Sequence, residues 1–337
     1  GFVQSLANLP NSKLASGSWD NTIKIWRSND GSMIRTVGRG HTNAVTSFFV
    51  LSNGRLASGS EDNTIKIWNP NDGSLIRTLS GHKNMVTSLA VLSNGYLASG
   101  SYDDTIKIWN PIDGSLIQTL TNHTAFVDSL ANLPNGNLAI GSSWDQTIRI
   151  LNPEDGSLIR TLSGHTYPIK SLAILHNGQL ASGSWDNTIR IWNPEDGTLI
   201  RTLTGHTNVI YSLAVLPNSY LASGSGDRTI KIWNPIDGSL HLTLTNHTSG
   251  VRSLTILPDG HLASGSSDRT IKIWDIDNGG VLLSTLDGHT DYVASLISIS
   301  SNNNKNENYI ASSSDHNIFI WKYFTQDSTF CRSRKYR

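Results

Sequence analysis

Seven histidines and eight aspartates recur in register along this 337-residue chain. They are His41, His82, His123, His165, His206, His247 and His289, with Asp20, Asp62, Asp103, Asp145, Asp186, Asp227, Asp268 and Asp315. Two chemistries use such residues at fixed spacing. A histidine beside a carboxylate is a general acid–base pair, because imidazole changes charge near neutral pH. Histidine and aspartate clusters are also metal ligands. Both readings founder on repetition, since no enzyme needs the same dyad in every copy. A structural role outweighs both, and no catalytic residue, metal or cofactor is expected.

The elements that must position these residues are written eight times. SGSWDNTIKIW at 16–26 returns at 58–68, 99–109, 141–151, 182–192, 223–233 and 264–274, with a worn last copy, SSSDHNIFIW, at 312–321. The interval is 41 or 42 residues, and 47 before the last copy. A fixed period of this size means one supersecondary unit stacked on copies of itself. Within 82–120, MVTSLAVL and YLASGS alternate apolar with small or polar residues, and TIKIW and SLIQTL do so with β-branched residues prominent. The period of two predicts four strands. Ser93-Asn94-Gly95 marks a hairpin, and Asn110-Pro111-Ile112-Asp113-Gly114 marks the turn between the third and fourth strands. No stretch carries a helical period, so no helix beyond a turn or two is expected. A four-stranded sheet that is apolar on both faces is unstable alone, and radial stacking buries both faces. The expected fold is all-β: an eight-bladed β-propeller of four-stranded antiparallel blades over 1–322, followed by a tail at 323–337.

At this point the residues carry a resemblance. Gly-His near the repeat starts, and Asp six residues before a strand-ending Trp, are similar to the WD-repeat (WD40) β-propeller family over about residues 2–322. At that strand-ending Trp the Trp-Asp pair survives only as Trp274-Asp275; most copies read Trp-Asn. The resemblance implies a buried tetrad in each blade, in which Asp and Ser hold the two imidazole nitrogens and the indole N–H donates to the serine. By register, blade two has His41, Ser58, Asp62 and Trp68, and blade three has His82, Ser99, Asp103 and Trp109. Blade five has His165, Ser182, Asp186 and Trp192. Blade six has His206, Ser223, Asp227 and Trp233, and blade seven His247, Ser264, Asp268 and Trp274. A sixth set, His289, Ser312, Asp315 and Trp321, has a turn one residue shorter. Buried imidazole and indole need partners, and a complete network rigidifies the blade. Two blades depart. The first has Ser16, Asp20 and Trp26 without a histidine. The fourth has Ile140 for Ser, Leu151 for Trp and an added serine in its turn. That leaves His123 and Asp145 with half a network, in a blade that reads as locally looser.

Seven fourth strands are visible, ending near 37, 79, 120, 162, 203, 244 and 286. The eighth must come from the tail, around 323–330, or from residues before Gly1; the family usually closes its ring with a strand from the other terminus. The basic end at 332–337 reads as a solvated tail, and SNNNKNEN at 301–308 as a polar loop insertion. Lys and Arg balance Asp and Glu at 26 each, which is not the footprint of a nucleic-acid binder. No apolar run approaches the roughly 18 residues of a membrane span. Neither partner is expected. Cys331 is the sole cysteine, so no disulfide shapes the fold and a reducing compartment is favoured, the cytoplasm or the nucleus. The start at Gly1, in mid-repeat and without methionine, points to a piece of something longer. The domain itself is expected to be monomeric.

Function belongs where the copies differ. The residue before each turn aspartate runs Trp19, Glu61, Tyr102, Trp144, Trp185, Gly226, Ser267, Ser314. By the resemblance this position lies on the face of the Gly-His loops, around the channel mouth. Three residues after the histidine come Ala44, Met85, Phe126, Pro168, Val209, Gly250 and Tyr292, with Phe2 in register. Five after come Thr46, Thr87, Asp128, Lys170, Tyr211, Arg252 and Ala294, with Gln4 in register. Tryptophan, tyrosine and arginine dominate interface hot spots. The candidate partner-binding set is therefore Phe2, Trp19, Glu61, Tyr102, Phe126, Asp128, Trp144, Lys170, Trp185, Tyr211, Arg252 and Tyr292. The bland alternative is that these rings pack on each other and plug the channel. Aromatics concentrate in blades one, three, four and five, which places a bound partner off-centre. The expected function is a non-enzymatic protein–protein interaction scaffold holding a peptide or loop of another protein. Two alternatives stay open: a sensor or regulatory domain of a larger multidomain protein, and a carbohydrate or small-ligand propeller. Against an enzyme, no nucleophile–base pair stands outside the tetrad register, and there is no glycine-rich phosphate loop and no metal-spaced cluster.

Overall fold

The alternating pattern of each repeat becomes a meander. In blade three the strands Val86–Val91, Leu97–Ser101, Ile106–Trp109 and Leu116–Leu120 pair antiparallel in chain order. The computed structural model describes residues 3–9, 13–27, 32–37, 40–121, 127–142, 145–300, 307–314, 317–324 and 330–336. The described residues form thirty-two strands in eight four-stranded sheets, and none is helical. The blades span 3–37, 45–80, 86–120, 127–162, 169–203, 210–244, 251–286 and 295–336. This is the eight-bladed, all-β propeller that the repeat implies.

Burial falls off from the middle of each sheet outward. The second and third strands are buried on both faces, as in Leu97–Ser101 and Ile106–Trp109. The fourth strand leaves Leu116 and Ile117 exposed at the outer edge. The apolar clusters lie between blades, so no blade owns a core. Trp109 of blade three packs on Leu51, Ile65, Ile67 and Leu79 of blade two. Val3, Leu14 and Trp26 of the first blade meet Ile299, Tyr309, Ile318 and Ile320 of the last. The first strands of successive blades adjoin around the centre, the last against the first, so the ring is closed.

Closure comes from the tail, later than its sequence suggests. The third strand of blade eight runs on to Phe324, and Phe330–Tyr336 pairs with it as the fourth. The basic end is thus a strand rather than a solvated tail, because the outer edge of Asn317–Phe324 needs backbone partners. The polar insertion also ends early: Glu307 and Asn308 already belong to the strand Glu307–Ser314.

Two devices at the seams are absent from the sequence reading. Arginines on fourth strands reach across to the next blade's turn. Arg77 donates to the carbonyls of Asp113 (2.6 Å) and Ile112 (3.0 Å), and Arg201 to those of Asp237 (2.9 Å) and Ile236 (2.6 Å). Glycines of the second strand permit the close approach of the next blade's first strand. A Cβ at Gly59 would stand 2.6 Å from Ser47 Oγ and 2.7 Å from Val86 Cγ1. Gly59→Ala should therefore cost about 1–3 kcal/mol, as overpacking does, measured by chemical denaturation. An unchanged midpoint would show that the seam relaxes freely.

Candidate functional site

The dyads are locked inside the blades. In blade three, Trp109 Nε1 donates to Ser99 Oγ at 2.8 Å, Ser99 Oγ lies 2.8 Å from His82 Nε2, and His82 Nδ1 lies 2.9 Å from Asp103 Oδ2. One set of protons satisfies the chain: indole N–H to serine, serine O–H to Nε2, Nδ1–H to carboxylate.

Blade five repeats this network. Trp192 Nε1 donates to Ser182 Oγ at 2.9 Å, Ser182 Oγ lies 2.8 Å from His165 Nε2, and Asp186 Oδ2 lies 2.7 Å from His165 Nδ1. In blade six, Trp233 Nε1 donates to Ser223 Oγ at 2.8 Å, Ser223 Oγ lies 2.8 Å from His206 Nε2, and Asp227 Oδ2 lies 2.7 Å from His206 Nδ1. The same bonds, at 2.7 to 2.8 Å, join His41, Ser58, Asp62 and Trp68 in blade two and His247, Ser264, Asp268 and Trp274 in blade seven.

Burial pushes the five carboxyls up. Hydrogen bonds from histidine, from the following threonine and from backbone N–H groups outweigh it, and hold them far below the usual carboxylate range. With each of these five imidazoles at most 1% exposed, no substrate reaches the pair. Among the described residues, no group of three His, Cys, Asp or Glu side chains could hold a metal.

The irregular blades solve the same problem differently. In blade eight, Ser314 Oγ stands 2.7 Å from His289 Nδ1, and Ser312 Oγ 2.7 Å from Nε2, so a serine sits where the other blades place their aspartate; Asp315 lies outside the described residues. Blade one keeps the Trp26 Nε1 to Ser16 Oγ bond at 2.9 Å. Blade four replaces two of the four tetrad residues with apolar ones. Ile140 and Leu151 are fully buried together among Leu120, Val127 and Leu138. Asp145 is held by Arg149 Nη2 at 3.0 Å and by Thr147. Apolar side chains thus occupy the places of the serine and the tryptophan, and the reading of a looser blade turns on His123. His123 lies outside the described residues.

The variable positions sit at breaks in the pairing. In blades five, six and seven the register between first and second strands slips at Ile169/Ser171, Ile210/Ser212 and Val251/Ser253. Lys170, Tyr211 and Arg252 are the extra residues, and a β-bulge re-aims its side chain. Backbone bonds tie the other variable positions to the same place: Trp185 N–H to Pro168 O (2.9 Å), Gly226 N–H to Val209 O (2.8 Å) and Ser267 N–H to Gly250 O (2.8 Å).

Together these residues wall a cavity of about 400 Å³, lined by Val3, Trp19, Lys170, Trp185, Tyr211, Arg252, Tyr292 and Ala294. Trp19 is 52% exposed and Trp185 41%. Lys170 Nζ stands 5.2 Å from the centre of the Trp185 ring. The Arg252 guanidinium lies between two rings, 5.0 Å from Tyr211 and 4.8 Å from Tyr292. Its Nε donates to Ser267 Oγ at 2.6 Å, which a small residue at 267 allows.

Of the twelve candidate residues the structure brings six together: Trp19, Lys170, Trp185, Tyr211, Arg252 and Tyr292. Glu61 and Tyr102 are partly buried in blades two and three, away from this cavity. Phe2, Phe126 and Trp144 lie outside the described residues, as does the side chain of Asp128. The tetrads stand apart from the cavity too. Ser182 and Trp192 of blade five and Ser223 and Trp233 of blade six are buried and line none of it. Trp192 packs in the seam with blade four, and Trp233 in the seam with blade five, so their part is structural. The same holds for His82, Ser99, Asp103 and Trp109, and for His165, Asp186, His206 and Asp227.

The described lining of the cavity comes from blades five to eight and one, whereas the sequence concentrated its aromatics in blades one, three, four and five. The bulged residues Tyr211 and Arg252 of blades six and seven line it as well, at the position five residues after the histidine. Val3 and Ala294, which also line it, give no signal beyond their register.

No curated protein matches the chain significantly. Among solved structures it is similar to the computationally designed Ika8 protein, at 30% identity over 95% of this chain and 96% of that one, with a TM-score of 0.83. It is also similar to the WD40 β-propeller domain of Doa1, at 29% identity over 81% of this chain and 92% of that one, with a TM-score of 0.65. The family described as WD domain, G-beta repeat matches 1–27, 31–69, 73–110, 114–152, 156–193, 197–234, 238–275 and 280–322. These matches and the eight blades place the chain in the WD40 family, whose propellers are generally non-enzymatic and commonly serve as protein-interaction scaffolds.

Proposed function

We propose that this propeller is a non-enzymatic interaction scaffold that holds a peptide or loop of another protein in the cavity at the channel mouth. The carrying observation is that cavity. Exposed tryptophans, two ring-stacked cations and bulged strands converge there, at positions that vary while their neighbours repeat. Aromatic rings beside a well-placed arginine are the composition of an interface hot spot. A reducing compartment, cytoplasmic or nuclear, suits a chain with one cysteine.

Affinity capture with the wild type and with a double variant, Trp19→Ala with Trp185→Ala, tests the reading. The partner should be lost from the double variant while its thermal stability changes little, since truncation of exposed side chains costs about 1 kcal/mol or less each. Retention of every captured protein by the double variant would overturn the assignment.

A further inference from the structure

Arg252 differs from Arg77 and Arg201 at the blade seams. Arg77 and Arg201 spend their terminal nitrogens on backbone carbonyls of the neighbouring blade. Arg252 donates only through Nε, to Ser267. Among the described residues neither Nη1 nor Nη2 of Arg252 has an acceptor, and no carboxylate pairs with it. Nothing about its placement is loose. The strand bulge between Val251 and Ser253 aims it, two tyrosine rings clamp its faces, and Ser267 fixes its inner edge. What remains is the outer end of the fork, two N–H groups side by side on the wall of the cavity. That edge matches the two oxygens of one carboxylate. A guanidinium already held in one geometry loses little entropy when it binds. Trp19 and Trp185 offer apolar surface on the same wall.

Building on the proposed scaffold function, we infer that the occupant is an acidic peptide segment, with an Asp or Glu carboxylate seated on the Nη edge of Arg252 and an adjoining apolar side chain against Trp19 and Trp185. Serine phosphate is the competing oxyanion. One fork edge offers two donors, which satisfies a carboxylate and leaves a dianionic phosphate underserved.

The test is a random-peptide display library panned on the propeller, followed by affinity measurements with the selected peptides. The selected sequences should share an acidic residue. Changing that residue to its amide should weaken binding to the wild type about tenfold or more, the scale of a lost charged hydrogen bond. Arg252→Gln should weaken the same peptides by a similar factor, and the peptide and protein changes together should cost no more than either alone. Arg252→Lys should fall between, because it keeps the charge and loses the fork. The amide change on the peptide needs no protein variant, so the inference stays testable if Arg252→Gln folds poorly. Peptides lost on the Trp19→Ala, Trp185→Ala double variant but indifferent to Arg252→Gln and to their own acidic residue would overturn this inference and leave the scaffold reading standing. Peptides indifferent to the tryptophans, or no selected peptide at all, would overturn both. Tighter binding when phosphoserine replaces the acidic residue would replace carboxylate with phosphate.

Discussion

Trp109→Ala should cost about 3–5 kcal/mol of stability, the range for truncating a buried aromatic. The Trp109 ring is 2% exposed, fills the seam between blades two and three, and donates to Ser99 Oγ. Removing it opens a cavity and takes the donor from a buried serine. Trp109→Phe separates the two losses: most of the packing stays, and the missing hydrogen bond alone should cost about 1–3 kcal/mol. Trp185→Ala is the control. Its ring is 41% exposed and touches Lys170, so its loss should cost under about 1 kcal/mol. Chemical denaturation of the three variants decides the matter. Equal midpoints for Trp109→Phe and Trp185→Ala would remove the tetrad from the stability account.

Acid should unfold this propeller steeply. Asp62, Asp103, Asp186, Asp227 and Asp268 are all held below the ordinary carboxylate range in the fold. A depressed folded pKa stabilises the fold fully above the unfolded value of about 3.9, and that contribution is lost as pH falls toward the folded value. The melting temperature should therefore be level near neutrality, start to fall near about pH 5 and keep falling below it. Turn aspartates such as Asp113 and Asp237, held down by the serine that follows, act in the same direction at the surface. Asp103→Asn distinguishes the two groups. It should lower the melting temperature at pH 7 and flatten the acid slope. A melting temperature constant between about pH 5 and 3 would contradict the dyad geometry.

Blade number, strand order and the tetrads were legible in the sequence because each depends on residue identity at a fixed interval. His82, Ser99, Asp103 and Trp109 can be found by register alone, since each supplies a named donor or acceptor to the network. Features set by pairing rather than identity were not legible. Nothing in the sequence around Lys170, Tyr211 or Arg252 announces a bulge, yet the bulge decides where those side chains point. Arg228 and Arg269 hold positive φ angles of 73° and 72° at the turn position that Asn63 and Asn187 fill elsewhere. Arginine has no preference for that region, and the aspartate–threonine turn imposes it. The closing strand, FCRSRKY, shares none of the LIRTL pattern of the other fourth strands, so composition made it read as tail. In blade four, loss of serine and tryptophan looked like loss of order. The space was refilled by Ile140 and Leu151, a compensation visible only in packing.

The proposed scaffold function sets two surfaces against each other: the cavity lined by Trp19 and Trp185, and the outer edge, where Leu116 and Ile117 are exposed. Photo-cross-linking separates them most directly, with a benzophenone amino acid placed at position 185 in one variant and at position 117 in another. Partner adducts are expected from position 185 and none from position 117, with the position-185 adduct suppressed by excess unlabelled partner. Adducts from position 117 and none from position 185 would contradict the proposed site.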